Sequence, residues 1–360
     1  MADVQPFRAV RYDESAGPLD RLVAPPYDVL DAEQRAAYLA RSPYNVVHLT
    51  LPDAEDAAGD TWRAWQDERA LVRDERPSFW ALVQDYVGPD GVARTRTGLV
   101  ASLRVEPYER GVVLPHERTH RGPKEGRLRL LRATRAQLEP ILLLYDGPAP
   151  VSAPDREADL AADGARLWRV DGDFGDSFAD RQLLIADGHH RYETALAFHE
   201  EDGTEESAFL MVVLVSTEDP GLTIFPTHRV FDAALPDPSV GFGDPRSDVR
   251  DALSDLDELS YDTAAFVRYE RRQPQLVATS DRRPDVFVVD RLGQDGISYT
   301  PDWHEAVRRV DAGDASVAYL LRPTRIEDVF AVARRGEVMP QKSTYFYPKL
   351  LSGLLFHPLG

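Results

Sequence analysis

The sequence contains no cysteine, and only three of its 42 basic residues are lysine. Without cysteine there are no disulfides, thiolate zinc sites, iron–sulfur clusters or thiol nucleophiles. No apolar run approaches the roughly 18 residues that a membrane-spanning helix requires. The opening stretch "MADVQPFRAVRYD" lacks the apolar core of a secretory signal. The expectation is therefore a cytoplasmic protein with no membrane partner. Also absent are a G-x-x-x-x-G-K-[ST] loop, a G-x-G-x-x-G fingerprint and a G-x-S-x-G elbow. Their absence removes the commonest nucleotide-binding and hydrolase frameworks. No repeat of about 20–50 residues and no low-complexity tract interrupts the chain.

What is present is ample material for a core: 43% of the 360 residues are hydrophobic and 29% are charged, as in globular proteins generally. A net charge of −19 repels phosphate backbones and argues against a nucleic-acid partner. The acidic surplus and near-loss of lysine fit adaptation to high salt, where screening relieves self-repulsion. A composition bias that writes arginine for lysine accounts for the same observation. Against that background the three lysines stand out. Lys124 lies in "HERTHRGPKEG"; Lys342 and Lys349 lie in "MPQKSTYFYPKLLSGL".

Strand-like runs rich in β-branched and aromatic residues include "NVVHLTL", "FWALVQDYV", "TGLVASLRV", "ILLLYDG", "QLLIADG", "AFLMVVLVS" and "DVFVVD". Helical periodicity marks "DAEQRAAYLARS", "DTWRAWQDERALVRDE", "KEGRLRLLRATRAQL", "HHRYETALAFHEE", "DVRDALSDLDEL" and "IEDVFAVARRGE". The alternation is irregular, and "AFLMVVLVSTEDPGLTIFPTHRVF" reads as a hairpin-like pair. That pattern predicts an α+β or mixed-sheet α/β fold. "PDPSVGFGDPRSD", residues 236–248, carries the strongest loop signal. It divides the chain into a motif-bearing 1–235 and a smaller 236–360 whose C-terminal segment packs back toward the site. A single domain is the alternative.

One constellation dominates. In "RQLLIADGHHRYETALAFHEE" an apolar strand runs through Asp187-Gly188 into a helix whose first turn bears His189, His190 and Arg191. Glycine allows a close approach and positive φ, and the helix start presents free N–H groups and a positive dipole end. Three potentially cationic side chains there call for an anion, so the turn suits phosphate or carboxylate. The plain alternative makes Asp187 an ordinary N-cap beside solvated histidines.

A second constellation, His116, Glu117 and His120, spells H-E-x-x-H, the zinc-protease pattern. Pro115 before it and Gly122-Pro123 after it break the helix that pattern needs. A loop carrying His116, Glu117, His120 and Lys124 is the better reading. Third, Lys342, Ser343, Thr344, Tyr345 and Tyr347 gather an ammonium, hydroxyls and phenols. Lysine there serves as a point charge for phosphate, or the segment simply docks by its aromatics. Fourth, "VAPPYDVL" sets Tyr27 and the candidate carboxylate Asp28 on a rigid turn, before a helix that Asp31 caps. Asn45, His48 and His228 read as structural residues of strands.

These blocks, "LVAPPYDVL", "SPYNVVHL", "PHERTHRGPKEGRLRLLRATRAQLEPI", "IADGHHRYETAL" and "MPQKSTYFYPKLLSGL", resemble the domain-of-unknown-function 1015 family from near residue 5 to the C-terminus. More distantly, "ADGHHRYETA" is similar to the D-G-x-x-R-x-x-A turn of the ParB and sulfiredoxin superfamily, which includes the free serine kinase. That resemblance implies a strand-to-helix turn set in a larger mixed sheet, with Gly188, His189, His190 and Arg191 on nucleotide phosphates and Ala195 in close helix packing. The motif here follows "PPYDV" by about 160 residues, and its catalytic carboxylate stays open between Asp28 and Glu117.

The expectation is an enzyme for a small phosphorylated metabolite or nucleotide, phosphoserine-type substrates included, acting by phosphoryl transfer or phosphate-ester hydrolysis. His189, His190, Arg191, Lys124, His120, Lys342 and Ser343 are the ligand-binding candidates; Glu117, Asp28, His116 and Asp187 are the catalytic ones. Magnesium and ATP or ADP fit as companions, whereas haem, flavin and iron–sulfur are not expected. Two rivals stand beside it. One is a metal-dependent hydrolase using His116, Glu117 and His120 with His189 or His190; the other is a nucleotide-binding regulator without turnover.

Overall fold

The structure is a computed structural model and describes residues 1–118, 121–232 and 243–360. His120, and part of the 236–248 stretch, therefore lie outside the described residues. The chain forms two compact units: one of residues 1–88, 92–222 and 348–360, the other of 89–91 and 223–347. Contacts thus divide the chain at 222/223 and 347/348, where the sequence pointed to 235/236. The reason is that the strand Thr223–Phe225 pairs with Tyr345–Tyr347 inside the second unit, so both strands go with that unit.

The first unit is built on a nine-stranded mixed sheet, as the irregular alternation predicted. Its order runs Val113–Leu114, Leu183–Asp187, Ile141–Tyr145, Phe209–Ser216, Ala93–Arg104, Phe79–Val87, Ala165–Val170 and Leu160–Ala162, with Val4–Gln5 pairing Ala93–Arg104. The two central strands, Ile141–Tyr145 and Phe209–Ser216, are parallel to each other and buried at every residue. Strands covered on both faces read as continuous apolar runs, which is why "ILLLY" and "FLMVVLVS" show no alternation. Phe209–Ser216 consequently does not form the expected hairpin with the 223–231 stretch; its partners are Ala93–Arg104 and Ile141–Tyr145.

The helix His189–Asp202 packs Tyr192 and Ala195 into the core on one face of the sheet. A neighbouring core joins Trp62 and Trp65 of the helix Glu55–Asp67 to Leu130 of the helix Arg121–Thr134 and to Phe356. The second unit holds a six-stranded sheet containing Ala265–Glu270, Val317–Leu321 and His228–Phe231.

Two predicted strands are helices. "NVVHLTL" contains the short helix Val47–Thr50 because the buried Asn45 amide donates to the Arg21 and Val23 carbonyls and accepts the Val47 N–H, which curls the backbone. "DVFVVD" is the helix Asp285–Asp290, its first carboxylate tied to Arg322 and to the Ala265 N–H. The helix expected over 60–75 ends at Asp67 and gives way to the strand Leu71–Arg73, with Arg69 at φ +61° between them. Asp31 and Gln34 form the capping box of the helix Ala32–Leu39. Among the described residues no helix is long and apolar enough to cross a membrane.

Gly59 lets the helix Glu55–Asp67 approach Arg121–Thr134 so closely that a Cβ there would overlap the Ala133 carbonyl. Gly59→Ala should therefore lower stability by about 1–3 kcal/mol, although alanine raises helix propensity by about 1 kcal/mol. Urea unfolding measures the balance, and a stabilised variant would contradict this packing.

Candidate functional site

The strand Leu183–Asp187 delivers the chain to Gly188, whose φ of +100° opens the helix His189–Asp202. Only glycine fits: a Cβ would stand 2.5 Å from Ile141 Cγ2 on the adjoining strand, and the backbone is left-handed. Asp187 makes no side-chain cap at this helix start. Its carboxylate is instead an ion-pair centre.

Arg191 Nη2 donates to Asp187 Oδ2 at 2.7 Å, and Lys349 Nζ donates to Oδ1. Arg191 Nη1 reaches the Pro140 carbonyl. Burial alone would raise the Asp187 pKa, but the Lys349 and Arg191 charges override it and hold the carboxyl well below the usual range. Burial likewise disfavours the Arg191 charge, and Asp187 with Glu139 and Asp28 more than restores it. A carboxylate fixed as an anion by two cations is a poor proton acceptor. Asp187 is thus placed to hold Arg191 and Lys349 rather than to take up a proton.

The histidines differ from their sequence reading. His189 is buried, and burial, with the neighbouring His116 next, pushes its pKa well below the ordinary value. His189 Nε2 accepts the His116 backbone N–H at 3.3 Å. His116 is also buried; its Nδ1 donates to the Ile185 carbonyl at 2.6 Å, and burial lowers its pKa against the pull of Glu117. The two rings meet edge to face at 4.7 Å. Burial thus keeps His189 from carrying charge, so the helix start does not carry all three cations inferred from "HHR", and the Arg191 charge is balanced by Asp187.

A second node lies beside the first. Glu139 is buried, and its Oε1 accepts the Tyr27 N–H at 3.1 Å and the Ser352 hydroxyl at 2.7 Å. Its Oε2 faces Arg127 Nη1 at 3.8 Å. Arg127 stacks 3.8 Å over the Tyr27 ring and donates to the Thr50 carbonyl. Arg127, Glu139 and Arg191 line one shallow, open cleft, together with Gln137, Thr194 and the leucines 130, 131 and 138. Four of the expected blocks thus meet in the first unit: Tyr27 and Asp28, Arg127, Asp187 to Arg191, and Lys349.

Sequence reasoning missed Tyr27, Arg127, Glu139 and Lys349 as site residues. The available signal was Glu139, an acid set directly before Pro140 and the apolar run "ILLLY". Of the residues that were expected, Asp28 is exposed on the turn near Arg191, and Glu117 is half-buried beside His116. Lys124 pairs with Glu193 at 3.1 Å, bridging two helices. His190 is half-buried on the first turn. His120 lies outside the described residues. Lys342 and Ser343 belong to the second unit. There the Ser343 hydroxyl donates to the Pro340 carbonyl at 2.5 Å, its own carbonyl accepts from Thr324, and Lys342 sits at φ +55°. Among the described residues no three His, Asp or Glu side chains gather in a metal-holding group.

A family model described as "Protein of unknown function (DUF1015)" matches residues 4–240. The match stops there, where the sequence blocks had pointed to a resemblance reaching the C-terminus, so Lys349 lies beyond it. No curated protein matches the chain. Among solved structures, a free serine kinase in complex with AMP is similar at 15% identity and a TM-score of 0.40, over 68% of this chain and 89% of that one. A conserved hypothetical protein from Pyrococcus furiosus follows at 16% and 0.35, over 68% and 92%. C-terminally truncated SbnI from Staphylococcus aureus gives 12% and 0.38, over 69% and 85%. Likeness at this level leaves the site to be argued from its own residues.

Two outcomes test the electrostatics. Arg191→Ala leaves the buried Asp187 with one cation instead of two and should cost about 3–5 kcal/mol in urea unfolding. An unchanged midpoint would refute the ion-pair centre. Burial also holds the His357 pKa down to about 4, whereas histidine in an unfolded chain titrates near ~6.5. Below that value the unfolded state takes up a proton that the folded state refuses. Stability should therefore fall as pH drops from about 6.5 to about 4, by roughly 3 kcal/mol from His357. His189 adds to the fall in the same direction. Asp187, whose folded pKa is lowered, contributes in full above ~3.9 and loses its contribution only as pH falls through the lowered value. The urea midpoint should decline between pH 7 and 5, and His357→Leu should flatten the slope.

Proposed function

The chain belongs to the domain-of-unknown-function 1015 family, and we propose that its first unit binds a small phosphorylated metabolite or nucleotide in the Arg127–Glu139–Arg191 cleft and acts on its phosphoryl group. One observation carries the reading. Arg127 and Arg191, from distant segments, line a single cleft beside the N-terminus of a 14-residue helix, and Lys349 stands on the same carboxylate as Arg191. Guanidinium groups bind phosphate oxygens in bidentate fashion, and the N–H groups at a helix start favour an anion.

In this reading Arg127 and Arg191 neutralise phosphate charge, and His190 and the amides at the Gly188 turn supply further donors. Asp187 holds Arg191 and Lys349 in place. The general base toward an attacking hydroxyl or water is Asp28 or Glu117, since Asp187 stays charged and both oxygens of Glu139 face donors. Magnesium would be held by Asp28 with the ligand's own phosphate oxygens, which suffices for an ion that keeps most of its waters. When bound, it would offset the charge on those oxygens. Lys124, committed to Glu193, is a peripheral contributor. The metal-hydrolase alternative requires His116, Glu117 and His120 together with His189 or His190, and elemental analysis of the purified protein tests it.

Calorimetry with inorganic phosphate, phosphoserine, ADP and ATP, with and without magnesium, at low and at molar salt, decides the binding claim. Arg127→Ala should weaken the bound ligand by about 1.5–3 kcal/mol, the worth of a charge-assisted hydrogen bond. Absence of binding by all four compounds in both salts would end the phosphate reading. Tight binding without ADP formation or phosphate release would favour the regulator. If turnover is seen, Asp28→Asn and Glu117→Gln identify the base by which of them lowers kcat at unchanged affinity.

A further inference from the structure

We infer that Gln137 is a ligand-reading residue of this cleft, and that the ligand is a phosphate ester whose organic part carries an acceptor oxygen and lies against a leucine wall. The inference rests on the phosphate reading above and specifies what the cleft accepts besides phosphate. Gln137 lines the cleft and is 6% exposed, and its side-chain Nε2 is buried with no hydrogen-bond partner among the described residues. A buried amide donor left without an acceptor bears the full cost of desolvation. Folded chains keep such groups rarely, and each one calls for a reason.

Among the described residues no neighbour supplies the acceptor, and His357, opposite Gln137 in the strand pair, has a buried Nδ1 that is likewise without a partner. Arg127 and Arg191 are themselves donors. Glu139 Oε1 already accepts from Tyr27 and Ser352, and the Thr194 hydroxyl is turned to the His190 carbonyl. Nor can the backbone swing the amide elsewhere. Ala136–Gln137 is paired with His357–Pro358, and the preceding Arg135 accepts the Leu359 N–H. Arg127 and Arg191 line the same cleft but already hold the Thr50, Glu139, Pro140 and Asp187 oxygens, so the donor there that lacks an acceptor is the Gln137 amide. Its remaining wall, Leu130, Leu131 and Leu138, suits the carbon skeleton of an ester better than bare inorganic phosphate. The two guanidinium groups take the phosphoryl oxygens and the Gln137 amide takes an oxygen on the organic part.

Gln137→Met, similar in volume and apolar, separates a ligand-reading role from a structural one. With phosphoserine as the probe, the variant should bind about 2- to 13-fold more weakly than the wild type, the loss of one neutral hydrogen bond. Its ligand-free thermal midpoint should be unchanged or raised, because an orphaned donor has been removed. Gln137→Met that binds phosphoserine as the wild type does overturns the inference. So does a variant whose ligand-free midpoint falls together with its affinity, since the amide would then be structural. If the wild type binds phosphate and phosphoserine equally, the leucine wall and the acceptor oxygen are not read. If it binds no phosphate compound, the phosphate reading itself falls, and this inference with it.

Discussion

The first unit depends on one buried carboxylate. Asp187 ends a core strand, and its two oxygens face Arg191 from the next helical turn and Lys349 from 162 residues further on. Taking such a group out of water is costly unless its partners come with it. The fold meets that condition by bringing the C-terminal segment back: Pro348–Gly360 belongs to the first unit although residues 223–347 do not. Further ties hold the segment there. Arg96 donates to the Pro348 carbonyl, Ser352 to Glu139, and the Phe356 N–H to Val10. The geometry of the Gly188 turn thus depends on a segment that the sequence places at its far end.

Glu139, whose charge also acts on Arg191, repeats the device. Its carboxylate pins the Tyr27 turn and Ser352, and it faces Arg127. Two buried acids therefore arrange the cationic side chains of three separate segments. Neither acid is left available as a proton acceptor, since every oxygen faces a donor. Such a site holds its cations in position before any ligand arrives, and preorganisation of this sort lets charge act on a ligand without reorganisation.

Outside the site, charge serves a different end. Lys124–Glu193, Arg132–Glu201 and Arg135–Asp202 run in a row between the helices Arg121–Thr134 and His189–Asp202. Pairs this exposed contribute little singly, and screening weakens them further in salt. Apolar contacts of Leu128 and Leu131 with Phe198 and Leu359 carry that interface. The arginine-rich, acidic surface is therefore a matter of solubility and solvent more than of fold.

The sequence by itself determined the local pieces. "ILLLY" and "FLMVVLVS" had to be covered strands because each is apolar throughout, and Gly188 had to be glycine because the strand-to-helix turn needs positive φ. Asp31 had to cap its helix for the same local reason. Short β-branched runs deceived, because Asn45 and Asp285 bond to groups far along the chain and thereby bend "NVVHLTL" and "DVFVVD" into helices. The site was half legible. "DGHHR", "PPYD" and Lys349 lie in segments that the structure brings together, but the protonation states and partners did not follow from the sequence. Only the tertiary structure decided that His189 is buried and neutral, that Asp187 holds Arg191, that Glu139 and Arg127 join the cleft, and that Lys349 meets Asp187. Those outcomes depend on desolvation and on contacts between residues far apart in the chain, Glu139 and Ser352 by 213 positions, which no local pattern encodes.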